Sequence, residues 1–247
     1  MELSKRLQAI ADMVTPGLAV ADVGCDHGFV SVYLYEKQIA PKVIAMDLRP
    51  GPLARAKEHI DAYGYSAYIE TRLSDGVTAL EMGECGAAVC AGMGGRLMAK
   101  ILADGYDKIA AMKELVLQPQ SELQFFREFL RKNNLHIIEE NMIKEDGKYY
   151  PIIKAVPEMA FVGEIEQGTA DEDLQQIADC FGPCLIAERH PVLREFLEML
   201  LERNRNILIQ IKKSNGKDGE NRNILRMQTI EKEIKDIVYC LSLYEIG

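Results

Sequence analysis

The residues best suited to chemistry in this chain lie close together, in Ala21-Asp22-Val23-Gly24-Cys25-Asp26-His27-Gly28. An apolar segment leads into them and a helix-like segment follows from Phe29, so they read as a turn at the carboxyl end of a strand. Gly24 and Gly28 let such a turn close tightly. A pyrophosphate-binding turn asks for three glycines, G-x-G-x-x-G, at a helix N-terminus. Here Asp26 and His27 stand between the only two glycines, and a carboxylate repels a phosphate. It suits an ammonium or a sulfonium instead. Asp22 is placed either to meet such a cation, through water, or simply to cap the turn.

Three further stretches extend the pattern. Asp47-Leu48 closes the apolar run Val43-Ile44-Ala45-Met46, about twenty residues beyond the first turn, where an acidic side chain receives ribose hydroxyls in nucleoside-binding α/β sites. A surface carboxylate ending a strand is the plainer alternative. Ser74-Asp75-Gly76 follows a third strand, and its carboxylate suits an adenine amine or an ordinary Asp-Gly turn. Ala91-Gly92-Met93-Gly94-Gly95 ends a fourth strand; its glycines admit a flat group against the backbone with Met93 packed on a ring, or serve a tight helix entry. A cationic nucleoside cofactor fits all four stretches, and S-adenosylmethionine is the expected one. NAD is not.

The elements that must position these residues alternate. Strands are expected over 18–23, 42–47, 67–72, 86–91 and 114–118, all short and apolar, as strands covered on both faces are. Helices are expected over 30–37, 52–63, 96–104 and 122–133. This alternation predicts a mostly parallel sheet with right-handed crossovers. Two last strands, 136–143 and 148–156, flank Glu145-Asp146-Gly147, whose Asp-Gly favours positive φ. An α/β sheet ending in an antiparallel hairpin is the Rossmann-like arrangement of class I methyltransferases.

After Pro157 the chain changes character. Residues 158–187 are mixed and punctuated by Gly163, Gly168, Gly182 and Pro183. Apolar residues then recur at helical spacing over 190–213 and 222–244, joined by the polar link 214–219, which predicts an antiparallel helical hairpin of coiled-coil type. The expected domains are therefore 1–157, binding the cofactor, and 158–247, helical. Between Arg203 and Arg226 stand Arg203, Arg205, Lys212, Lys213, Lys217, Arg222 and Arg226 against only Asp218 and Glu220, a net of +5 in a chain of net charge -9. Such a cluster, with Lys5 and Arg6 near the cleft, suits phosphate contacts or a solvated helix face.

Composition narrows the class. With 247 residues, 48% hydrophobic, the chain has the makings of a sizeable core. Its acidic balance excludes a general nucleic-acid coat protein. No apolar run reaches the roughly 18 residues of a membrane span, and no secretory signal is read at the N-terminus. Six cysteines are scattered without a C-x-x-C pair; only Cys180 and Cys184 lie close, with no histidine pair to complement them, so free thiols and no metal are expected. A cytoplasmic, monomeric protein is the resulting expectation.

Leu3-Ser4-Lys5-Arg6-Leu7, Ala21-Asp22-Val23-Gly24-x-Asp26-His27, Ala91-Gly92-Met93-Gly94-Gly95, Leu117-Gln118-Pro119 and Glu145-Asp146-Gly147-Lys148 occur in one order along the first domain. Together they resemble the bacterial tRNA adenine-22 N1-methyltransferase family (TrmK-like), and with the helical hairpin the resemblance spans nearly the whole chain. It implies a class I methyltransferase that uses S-adenosylmethionine and methylates N1 of an adenine in the D-loop of tRNA. Asp22, Gly24, Asp26, His27, Gly28, Asp47, Leu48, Ser74, Asp75, Gly76, Ala91 and Gly92 would bind the cofactor. Cys25 stands where the family commonly has serine, Asp47 replaces glutamate, Gln120 asparagine, and Tyr150 often glutamate.

On that reading the donor is already activated, so alignment and exclusion of water supply most of the catalysis. As N1 gains the methyl group, positive charge spreads to the N6 amine, which a nearby carboxylate stabilises. Asp26 with His27 is the candidate, beside Gly92 and Met93; Asp26 is equally suited to cap the following helix. N1 lies on the Watson-Crick edge, so the base must be unpaired or flipped, with Phe29, Tyr149 and Tyr150 as stacking candidates. A methyltransferase for another RNA or a small molecule, and a noncatalytic RNA-binding protein of the same fold, are the alternatives.

Overall fold

The computed structural model describes residues 1–161, 171–213 and 220–245, with the side chains of 220–222 excepted. Two compact units divide the chain, Met1–Cys184 and Leu185–Gly247.

The first unit opens with α1 (Lys5–Asp12), then alternates: β1 (Val20–Val23), α2 (Phe29–Glu36), β2 (Val43–Asp47), α3 (Pro50–Ala62), β3 (Ile69–Leu73), β4 (Ala87–Met93), α4 (Gly95–Asp104), α5 (Tyr106–Ala110), β5 (Glu114–Pro119), α6 (Leu123–Lys132), β6 (Leu135–Glu145) and β7 (Lys148–Pro157). One seven-stranded sheet results, in the order β3-β2-β1-β4-β5-β7-β6. The first five strands are parallel and β7 is antiparallel to both neighbours. The expected α/β sheet with a terminal hairpin is therefore present. Strand order reverses direction between β1 and β4, and in such sheets ligands bind at the carboxyl ends of the strands beside that point.

Every residue of β1, β2 and β5 is buried, as both faces require. On one face Ala21, Val23, Ile44 and Met46 join residues of α4, α5 and α6. On the other, Val20, Val43 and Ala45 pack with α1, α2 and α3. The β6–β7 turn places Asp146 at φ 49 and Gly147 at φ 73, the left-handed pair that an Asp-Gly hairpin turn uses. β3 starts later than position 67, because Tyr68 and Ile69 both donate backbone N–H bonds to Tyr65 O, 2.9 Å each, closing a turn over those residues. α3 starts earlier than position 52, with a proline in its first turn where no backbone donor is lost.

The first unit continues past the change of character at Pro157. α7 (Glu172–Phe181) packs on α6, and α8 (Pro183–Ala187) follows. A buried ion pair explains the continuation. Arg127 of α6, 1% exposed, donates through Nε to Glu140 Oε1 of β6 at 2.8 Å. Its Nη1 donates to Asp179 O and Cys180 O at the end of α7, while Cys184 N donates to Glu140 Oε2 at 3.0 Å. Gly182 turns the chain across this pair at φ 98; a Cβ there would lie 2.6 Å from Glu140 Oε2. Apolar periodicity carries no trace of such a polar anchor.

The second unit contains α9 (Pro191–Lys213) and α10 (Glu220–Ser242). They run antiparallel: Asn204 Nδ2 donates to Glu233 Oε2 at mid-helix, and Tyr244 Oη donates to His190 O at the far end, 2.9 Å each. Leu193, Leu197 and Ile211 of α9 are buried, as are Ile230, Ile237 and Cys240 of α10. The polar link 214–219 lies outside the described residues. Among the described residues, no helix is long and apolar enough to cross a membrane, and no cluster of His, Cys, Asp and Glu is arranged to hold a metal ion.

Arg127→Leu removes one partner of a buried pair and leaves the Glu140 carboxylate without its guanidinium, so it is expected to destabilise the protein by about 3–5 kcal/mol. Chemical denaturation followed by circular dichroism measures this; a change below about 1 kcal/mol would mean that the pair does not anchor α7.

Candidate active site

A cavity of about 550 Å³ opens at the carboxyl ends of β1, β2, β3 and β4. Asp22, Gly24, Asp26, His27, Asp47, Leu48, Ser74, Asp75, Gly76, Ala91, Gly92 and Met93 all line it, so nearly every residue singled out from the four turns converges there. Gly28 does not. It caps α2 at φ 68 without a side chain, and a Cβ would stand 3.3 Å from Ala56 Cβ, so its smallness lets α2 pack on α3.

Asp22 forms the floor. It is 5% exposed and accepts a 2.5 Å bond from Ser31 Oγ of α2. Burial pushes its carboxyl up to about 6, with the nearby Asp47 adding to the rise and the Ser31 bonds opposing it. No cation is paired with Asp22 among the described ion pairs. Such a group favours a positively charged ligand, which restores the charged form. Asp47 is 7% exposed and accepts Arg49 N at 2.8 Å through Oδ1, which orders its carboxylate at the end of β2. Gly24 N and Cys25 N donate to Met46 O at 2.8 and 2.9 Å, tying the first turn to that strand. Cys25 and Cys90 are buried neutral thiols, the second pushed up to about 12 chiefly by burial.

The glycines fix close approaches. Gly24, at φ 75, holds a backbone conformation that side chains strain, and a Cβ there would displace the Met93 Cε methyl, 2.1 Å away. Gly92, at φ 77, is the extra residue of a bulge in β4, between Ala91 paired with Gln118 and Met93 paired with Pro119. The bulge turns the end of β4 into the cavity. Gly95 approaches Ser121 O so closely that a Cβ would lie 2.7 Å from it. The helix-entry reading of this stretch matches the close packing of Gly94-Gly95, and Gly92 turns the backbone where the flat group was expected. Ser74 spends its hydroxyl on the β3 turn, donating to Gly76 O at 2.8 Å, while Asp75 is exposed at the rim.

Asp26 adopts φ 47 and is not a helix cap, since α2 is capped by Gly28. Its carboxylate is open to solvent and faces Arg55 Nη2 at 3.4 Å and His27 Nε2 at 3.8 Å. The opposite wall is cationic. Arg6 of α1 lines the cavity, donates from Nη1 to Gln118 Oε1 at 3.0 Å, and lies 5.2 Å from the Tyr150 ring centroid. α1 is held at both ends. Lys5 N donates to Glu145 Oε1 at 2.7 Å; Thr15 N donates to Glu114 Oε1, and Lys154 Nζ bonds Met13 O and Thr15 Oγ1. Lys5 itself is exposed and outside the cavity. Arg49, Leu97, Ile101 and Gln120 also line it; Leu97 and Ile101 are a helical i, i+4 pair after the Gly-rich turn, and that spacing was the one available signal. Tyr149 lies instead beneath Lys144 Nζ, 5.3 Å from its ring.

Of the basic residues in the second unit, Arg203, Arg205, Lys212, Lys213 and Arg226 are exposed. Lys217 and the Arg222 side chain lie outside the described residues.

A parallel sheet of this order, with an acid-floored cavity at its switch point, defines a Rossmann-like methyltransferase fold. Residues 3–153 match the family described as Methyltransferase domain, and the chain belongs to that family. It is 29% identical over 242 residues to the tRNA (adenine(22)-N(1))-methyltransferase of Bacillus subtilis, covering 96% of this chain and 98% of that protein. The crystal structure of the B. subtilis M1A22 tRNA methyltransferase TrmK superposes with a TM-score of 0.81 at 28% identity, over 97% of this chain and 99% of that one. Streptococcus pneumoniae Sp1610, solved in complex with S-adenosyl-L-methionine, superposes with a TM-score of 0.80 at 28% identity, over 97% of this chain and all of that one.

Asp22 gives the ligand-free protein a pH dependence. The unfolded carboxyl ionises near 3.8 and the folded one near 6, so stability falls as pH rises between those values, by on the order of 3 kcal/mol, and is level above. Asp22→Asn should remove that slope. Thermal denaturation from about pH 4 to about pH 8 checks it; an unchanged slope in the variant would assign it to other groups.

Proposed function

We propose that this protein transfers the methyl group of S-adenosylmethionine to N1 of an adenine in the tRNA D-loop, at position 22. The observation that carries the reading is the cavity itself: an uncompensated buried carboxylate at its floor, an acidic wall and one cationic edge. It lies in a chain that matches a tRNA (adenine(22)-N(1))-methyltransferase from end to end.

The buried Asp22, raised toward neutrality and lacking a cation, fits a group that brings positive charge. When bound, S-adenosylmethionine supplies a methyl group already activated on a sulfonium. Asp22 balances the cationic amino-acid end, and Asp47 accepts the ribose hydroxyls, with Leu48 exposed beside it as a nonpolar surface. Asp75 receives the adenine amine at the rim. Gly24 and Gly92 keep the backbone clear of side chains where the two substrates must meet. In the transfer the methyl–sulfur bond breaks as the N1–methyl bond forms, and the positive charge passes to the adenine. Asp26, open to solvent beside His27, faces that charge and helps to release the N6 proton to water. Arg6, oriented by Gln118 and Tyr150, meets a phosphate of the target nucleotide.

The helical hairpin of the second unit adds sequence-independent grip through Arg203, Arg205, Lys212, Lys213 and Arg226. On this reading the protein works in the cytoplasm as a monomer.

Purified protein incubated with tritiated S-adenosylmethionine and unmodified tRNA is expected to label 1-methyladenosine on nuclease digestion; label in any other nucleoside overturns the site assignment. Asp47→Ala should weaken cofactor binding about tenfold or more by calorimetry, since two hydrogen bonds to a charged acceptor are lost. Unchanged affinity would remove its ribose role.

Replacing Arg203, Arg205, Lys212 and Lys213 together by alanine is expected to raise KM for tRNA and flatten its salt dependence, leaving cofactor affinity alone. An unaltered salt slope would exclude the hairpin from the interface.

A further inference from the structure

A band of aromatic rings leaves the cavity and crosses the outer face of α2 and α3. His27 and Phe29, both on the cavity wall, are stacked with centroids 5.4 Å apart. Phe29 meets His59 edge-on at 4.9 Å, and His59 meets Tyr63 at 5.0 Å. Tyr63 leads to Tyr65 at 6.0 Å, Tyr65 to Tyr35 at 4.9 Å, and Tyr35 stacks on Tyr68 at 4.6 Å. The band ends at a second concavity of about 480 Å³, which Tyr35 and Tyr65 help to line.

Three of these rings are open: Phe29 is 41% exposed, Tyr63 38% and Tyr68 50%. His27, Tyr35, His59 and Tyr65 are half-buried between them, Tyr35 and Tyr65 packing on the core. Exposed rings in a contiguous aromatic band mark a binding surface. Its charge says for what. Arg55, His59 and the C-cap Tyr63 follow at four-residue spacing along α3, so one side of the helix carries a cation, 3.4 Å from Asp26, followed by two rings. Arg49 stands at the head of the same helix and lines the cavity. Rings interleaved with arginines form the platform on which unpaired nucleotides stack, because every base has a π-face and every link a phosphate. The strip begins at the cavity wall, so a chain whose reacting base sits in the cavity can lie along it without a break.

We propose that the His27–Tyr68 band is a stacking track for unpaired RNA next to the methylated base, so that the first unit, and not the basic hairpin alone, holds the tRNA. The proposal rests on the tRNA reading above. It gives the enzyme a means of favouring a looped target, since a paired strand has no free base faces to offer.

The test is steady-state methylation of unmodified tRNA by the full chain carrying Y63A and Y68A together. Both residues lie outside the cavity and are exposed, and circular dichroism verifies that the variant keeps the fold. The expected result is a KM for tRNA raised about tenfold or more, with kcat and cofactor affinity held. Y63F with Y68F, which restores the rings, should recover the wild-type KM. A KM within twofold of wild type for the alanine variant overturns the track while leaving the methyltransferase reading intact. A shift of sedimentation coefficient in that variant at unchanged KM also overturns it, assigning the strip to self-association. Wild-type protein that binds cofactor but methylates no tRNA overturns both.

Discussion

A buried carboxylate at the cavity floor, with no cation paired to it among the described ion pairs, is the constraint on which the first unit turns. Burying a charge is costly unless it is paired, and Asp22 is met by the hydroxyl and backbone N–H of Ser31 and by another carboxylate, Asp47. The fold tolerates this because the surrounding β-structure is rigid: β1 is buried on both faces and flanked by parallel neighbours on both sides. The cost is the same property that favours a cationic ligand. A better-solvated carboxylate would be easier to fold around and would discriminate less between a sulfonium cofactor and a neutral nucleoside.

Backbone geometry keeps that site open. Gly24 and Gly92 both adopt left-handed conformations where side chains would close the cavity or strain the chain. The bulge at Gly92 breaks the β4–β5 ladder at the one place where a ladder would run on past the site. Opposite, Arg6 is placed by a helix fastened at both ends, to the β6–β7 hairpin through Glu145 and to β5 and β7 through Glu114 and Lys154. The carboxylates therefore come from the ends of β1, β2 and β3, and the cavity's cations come from α1, through Arg6, and from the head of α3, through Arg49.

The parts legible in the sequence were those that local rules control. Short apolar strands punctuated by glycine and aspartate gave the parallel sheet, and strand-end carboxylates gave all of the acidic wall. Asp146-Gly147 marked the hairpin turn by composition alone. What was hidden depends on partners distant in sequence. Nothing local marks Arg127, whose partners Glu140 and two carbonyls of α7 lie far along the chain, and the first unit runs on to Cys184. Gly28 fitted a cofactor motif but serves helix packing. Asp26 had the type and position of a cap, and the left-handed φ of Gly28 took that role from it. The aromatic band was likewise invisible, because Tyr35, Tyr63, Tyr65 and Tyr68 come together only when α2, α3 and the turn before β3 do.

An acidic protein that acts on a polyanion must segregate its charges. This chain does so by depth as well as by place. The cavity carboxylates Asp22 and Asp47 are buried. Arginines and lysines are exposed on α9 and α10 and at the head of α3. Long-range attraction between exposed charges is screened within about 8–10 Å in physiological salt, so the net charge of -9 governs encounter only weakly at the surface that matters. Contact is then set by local arrangement, by the charges and rings that stand beside the cavity, more than by the sum over the chain. A uniformly basic surface would bind more tightly and choose less, whereas polarity confined to one cavity ties grip to chemistry.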